Sequence, residues 1–142
     1  MCTAINEAKK EYLRRYLTAQ KRYREIQREI EVLEGRYIMP SKKYDGMPHG
    51  KGGNSDLSSF GAKYDELMTH LKEMRDECNQ TQMDVSRTIE KSACTDTEKV
   101  ILRYRYIRGY TWEMIAVELD LSYQWVCELH GRALRMISLD SN

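Results

Sequence analysis

The chain is predicted to be all-α: a long antiparallel two-helix coiled-coil hairpin followed by a compact C-terminal module of three short helices. Three observations carry that prediction. Apolar residues alternate at gaps of four and three on both sides of a stretch that holds both prolines, the period with which a helix keeps one seam against a partner helix. From residue 95 onward the pattern changes to short amphipathic segments separated by helix stops and capping residues. Finally, 32% of the residues are charged and there is a single Phe, a composition suited to extended helices rather than to a large core around a catalytic cleft.

In the first helix the seam runs Ile5, Lys9, Tyr12, Tyr16, Ala19, Tyr23, Ile26, Ile30, Leu33 and Tyr37, and at 1.5 Å per residue it is roughly 50 Å long. Lys and Arg outnumber Glu over residues 1–37, and Arg14, Lys21 and Arg28 recur every seven residues on the face opposite the seam. Such a stripe is either a solvated face stitched by pairs such as Glu11 with Arg15, or an electrostatic strip for a phosphate backbone or an acidic protein surface.

Residues 38–56 contain Pro40, Pro48 and four glycines between Gly46 and Gly53, so they sustain neither helix nor strand and are expected to form an exposed loop. The fragment Gly50-Lys51-Gly52-Gly53-Asn54-Ser55 lacks the spacing and the preceding strand of a phosphate-binding loop. The alternation resumes with Leu57, Phe60, Tyr64, Leu67, Leu71, Met74, Cys78, Thr81, Val85 and Thr88, which supplies the second helix of the hairpin. Because this seam is rich in Tyr, Thr and Cys, it leaves room for another helix, from a second copy (a homodimer) or from a partner protein. Residues 1–94 are thus read as one domain and residues 95–142 as another.

The second domain begins with an acidic helix start at Asp96 to Glu98, an apolar stripe of Val100, Ile101, Tyr104 and Ile107, and a stop at Arg108-Gly109. Thr111 caps the next helix, whose apolar face is Ile115, Ala116 and Leu119. Asp120 tolerates the left-handed backbone of a tight turn, Leu121 plugs the corner, and Ser122 caps a third helix that carries Val126, Leu129 and Leu134 inward. This is the layout of a helix-turn-helix.

The residues that spell it out, Thr97 to Tyr106, Thr111-Trp112-Glu113-Met114-Ile115-Ala116, Leu121-Ser122, Val126 and Arg132-Ala133-Leu134, resemble region four of bacterial sigma factors. The rest of the chain, with Met47-Pro48-His49-Gly50 leading to Ser55-Asp56-Leu57, resembles small phage-encoded sigma-like proteins related to late transcription regulators of phages of Gram-positive bacteria. The resemblance implies a phage or prophage transcription regulator in the bacterial cytoplasm that binds double-stranded DNA, together with host RNA polymerase. By position in the motif, Thr111, Ser122, Tyr123, Gln124, Trp125, Glu128 and Arg132 are the expected DNA contacts. The sequence departs from the sigma pattern at Tyr123, Trp125 and Cys127, where arginine-rich residues are usual, and at Gln124 and Glu128, where Glu and Gln are usual. Gln124 can still read adenine bidentately, but the guanine-reading arginines are missing. The residues from Asp96 onward are not basic overall, so DNA affinity needs help from the first helix, from dimerisation or from polymerase. The competing class is a protein-interaction module that docks on polymerase and no longer reads DNA, with Trp125 and Tyr123 as anchors; Trp125 packed back onto the long helices is a third option.

Other chemistry is weakly represented. Cys2, Cys78, Cys94 and Cys127 lack Cys-x-x-Cys spacing, and His49, His70 and His130 are far apart, so neither a metal site nor a disulfide framework is suggested. No nucleophile motif is present, and no cofactor and no enzymatic activity are expected. No apolar run reaches the roughly 18 residues of a membrane span.

Overall fold

The structure is a computed structural model that describes residues 2–37 and 53–139. Five helices follow one another: α1 (Cys2–Tyr37), α2 (Gly53–Lys91), α3 (Asp96–Tyr106), α4 (Trp112–Leu119) and α5 (Tyr123–Met136), with no strand among the described residues. The predicted loop lies, up to residue 52, outside the described residues. Its last part is helix instead: α2 starts at Gly53 rather than at Leu57, and an Asp in the first turn, as at position 56, suits the positive end of the helix dipole. Among the described residues no helix is long and apolar enough to cross a membrane.

Two compact units make up the chain, one of residues 1–20 with 78–142 and one of residues 21–77. In the first unit, two apolar clusters share helices α3 and α5. One gathers Leu13, Val85, Ile89, Cys94, Leu102, Tyr106, Ala133, Leu134 and Ile137. The other gathers Ile101, Ile115, Ala116, Val126 and Leu129, with Leu119 and Leu121 packed against it. Helix α3 therefore has two inner faces: Ile101 points to one cluster, while Leu102 and Tyr106, both outside the predicted stripe, point to the other. The same logic corrects the single seam assigned to α1. Leu13 is off that seam yet fully buried, because this end of α1 meets α5's cluster as well as α2. Lys9 Nζ donates to the Leu134 carbonyl at 2.8 Å, and Thr88 Oγ1 donates to Tyr12 Oη at 3.3 Å.

The second unit is an antiparallel pair, the stretch of α1 from residue 21 on and the stretch of α2 up to residue 77. Ile26, Ile30 and Leu33 are buried, whereas Phe60, Tyr64, Leu67, Leu71 and Met74 are only half-buried. Tyr64 Oη donates to Glu34 Oε1 at 3.2 Å, a bond that raises the phenol's pKa, and Phe60 stacks on Tyr64 with ring centroids 5.7 Å apart. The heptad register overreaches at two seam positions near helix starts, Ile5 and Leu57, which are exposed; the alternation continues where packing does not. Arg14, Lys21 and Arg28 are all exposed, as predicted. The stitching differs from the pair named above: Lys10 pairs with Glu7 at 2.8 Å and Arg28 with Glu25 at 2.9 Å, while Arg15 lies over the Tyr12 ring.

Candidate nucleic-acid interface

The helix-turn-helix is built from local hydrogen bonds that its sequence dictates. Helix α3 opens with a capping box: Thr95 Oγ1 accepts from the Glu98 N–H and Glu98 Oε2 accepts from the Thr95 N–H at 3.0 Å. It ends before Gly109, whose φ of +73° is the left-handed conformation that favours glycine. Thr111 Oγ1 accepts from the Met114 N–H at 3.2 Å to start α4, and Ser122 Oγ accepts from the Trp125 N–H at 3.1 Å to start α5. Between them Asp120 adopts φ 52°, ψ 45°, and its N–H donates to the carbonyls closing α4. An αL residue at this point satisfies carbonyls that the helix end would otherwise leave without partners.

These bonds assign Thr111 and Ser122 a capping role, which leaves only their hydroxyl protons for donation to a phosphate. Of the other expected contacts, Tyr123, Gln124, Trp125, Glu128 and Arg132 are all exposed. They share the outer side of α5, because Val126, Leu129, Ala133 and Leu134 take the inner side. Three of them interact with each other. Arg132 lies over the Trp125 ring at 5.1 Å and 3.5 Å from the Glu128 carboxylate, the consequence of i, i+3 and i+7 spacing along one helix face. Trp125 is therefore on the outer face of α5, with its ring under the Arg132 guanidinium. Tyr123 stands beside Cys127, and that thiol raises the phenol's pKa.

Sequence reasoning did not find the engagement of the module's cations. Arg103 pairs with Glu90 on α2, Arg105 stacks on Trp112 and donates to the Tyr110 carbonyl, Arg108 lies over Tyr104, Arg135 donates to the Gly131 carbonyl and Lys99 to the Glu90 carbonyl. Only the aromatic spacing Tyr104, Tyr110 and Trp112 hinted at it. On α4 the exposed residues are acidic or apolar: Glu113, Glu118, Met114 and Val117, the last 81% exposed. Behind the interface His130 is buried, with Nε2 2.8 Å from Tyr106 Oη and its ring 4.5 Å from that of Trp112. It ties the two clusters together.

Two capped helices, a left-handed turn between them and an exposed outer face on the second make the geometry of a helix-turn-helix. Residues 92–138 match the family model of sigma-70, region 4. No curated protein and no solved structure matches the chain. The region 4 match covers about a third of the sequence and takes in α3, α4, α5 and both turns between them. It leaves out Leu13, Val85 and Ile89, which complete one of the segment's two clusters. Region 4 is a DNA-binding helix-turn-helix, and the matched segment carries the two capped helices and the turn of that motif.

Proposed function

We propose that the chain is a transcription regulator of phage or prophage origin that binds double-stranded DNA through α5 in concert with host RNA polymerase. The single observation that supports this reading best is the exposure of Tyr123 and Gln124 at the N-terminal end of α5, next to the Asp120 turn, within a segment that matches sigma-70 region 4. Gln124 is the base reader, since its amide can both donate to and accept from adenine. Arg132 is the phosphate contact, and its stacking on Trp125 holds the guanidinium at the outer face. The module is poor in free cations, so affinity on its own is weak and polymerase supplies the remainder.

A second reading is favoured by a specific observation: every arginine of the module already has an intramolecular partner, while Met114, Val117 and Trp125 are exposed. On that reading the same face docks on polymerase without reading bases. The experiment compares Gln124→Ala, Arg132→Ala and Trp125→Phe on a duplex selected by the wild-type protein from a random pool, at two salt concentrations, and in a polymerase pull-down. Phe keeps a ring face under Arg132, which Ala at 125 would not. For DNA reading, Gln124→Ala loses preference at one base position, by about 1–3 kcal/mol, and Arg132→Ala weakens all sequences alike and lowers the salt dependence. Unchanged DNA binding in both, with polymerase capture lost in Trp125→Phe, rejects DNA reading and leaves docking.

A further inference from the structure

Beside the helix pair of residues 21–77 runs a groove of about 460 Å³ whose floor includes Leu33 and Leu67. Its α1 wall presents Glu25, Arg28, Glu29, Val32 and Arg36, with Lys63 on the α2 side. Val32 is 59% exposed, although it stands beside Leu33 and two residues from Ile30 in a helix that uses Ile26, Ile30 and Leu33 for its own core. Glu29 and Arg36 have no ion pair among the described residues, whereas Glu25 and Arg28, one turn earlier, pair with each other. Glu29 and Arg36 are seven residues apart, two turns or about 10.5 Å along one helix face, with Val32 between them.

We infer that this groove is a self-association surface, and that its occupant is the same α1 face of a second copy, packed antiparallel about a two-fold axis near Val32. The charges identify the occupant. A two-fold interface must be complementary to itself, and acid, apolar, base along one helix face is such a pattern: turned end for end, Glu29 of each copy meets Arg36 of the other, and Val32 meets Val32 and Leu33. A parallel arrangement would set like charges opposite each other, so orientation and register are fixed by the same two residues. The apolar contribution comes from Val32 and from Leu67, which a two-helix layer leaves half-covered and a four-helix arrangement can bury. Exposed ion pairs add little affinity; the association is accordingly weak and salt-sensitive, with the charges acting mainly as selectors.

The test is sedimentation of the full chain over a range of concentrations, without DNA, so that its outcome is independent of whether α5 reads bases. Wild type dimerises. Glu29→Arg alone or Arg36→Glu alone sets like charges against each other twice and weakens the dimer at least about tenfold, with helicity by circular dichroism unchanged because both side chains are exposed. Mixing the two single variants restores a dimer, now of one copy of each, since every cross-copy pair is again of opposite charge. A wild-type chain that stays monomeric to about 0.2 mM, where even weak association is visible, overturns the inference. So does a dimer indifferent to both reversals, or one that mixing fails to restore.

Discussion

His130 is held neutral by its surroundings. Burial removes water from the imidazolium, and Lys10, Arg105 and Arg14 add repulsion, so its pKa falls from 6.5 to about 4. Burial likewise pushes the Tyr106 phenol up to about 12, so the pair is uncharged at neutral pH. Because the folded-state pKa of the histidine is lowered, the unfolded chain binds the extra proton between pH 6.5 and 4. The stability His130 allows is complete above pH 6.5 and is lost progressively as pH falls toward 4, by about 3 kcal/mol in order of magnitude. Glu7, held down by Lys10, and Glu90, held down by Arg103, act in a lower window, below the ordinary carboxylate value of 4.5. His130→Gln keeps a hydrogen-bonding partner for Tyr106 without titrating there. Urea unfolding at stepped pH should show a slope between pH 6.5 and 4.5 in wild type that is flattened in His130→Gln; equal slopes would remove His130 as the cause. The sequence could not show this, since a histidine without metal-ligand spacing looks like any other until its neighbours from α1, α3 and α4 are known.

At the scale of the element, legibility follows the range of the interaction. The Thr111 and Ser122 caps, the left-handed Asp120 and the inward positions Ile115, Val126 and Leu129 were readable because each depends on residues within a few positions. The Thr95 capping box is legible too, as Thr-x-x-Glu. What was hidden is tertiary: one heptad seam describes a helix with one neighbour, and α1 over residues 2–20 has more than one, so Leu13 and the close approach of Leu17 to Gly109 do not show in the alternation. Two substitutions test the local grammar. Thr95→Ala removes the acceptor for the Glu98 N–H and should cost about 1 kcal/mol. Asp120→Gly should be nearly neutral, whereas Asp120→Val, β-branched at φ 52°, should cost about 1–2 kcal/mol. Thermal melts that rank Gly and Val alike would mean that backbone handedness does not select the residue at the turn.

At the scale of the molecule, the boundary drawn between residues 94 and 95 follows chain order, while the cores follow space. Cys94, Leu102, Tyr106, Ala133, Leu134 and Ile137 are buried in one cluster with Leu13, Val85 and Ile89 from the long helices, and the side-chain bonds Lys9 to Leu134 and Arg103 to Glu90 run the same way. A fragment of residues 92–142 retains all of the second cluster but lacks three of the nine buried residues of the first. Leu13→Ala in the full chain should cost about 2–5 kcal/mol, the range for deleting a fully buried leucine, and the fragment should melt with lower cooperativity and below the full chain's Tm. The region-4-like segment would then depend on helices outside the family match for the rigidity of α5, and Leu13→Ala should weaken DNA binding only at temperatures where its melt has begun. A fragment that unfolds as sharply, and at the same temperature, as the full chain would show that the cluster around Ile115 and Val126 is sufficient, and that the boundary at 94 and 95 separates two independently folding parts.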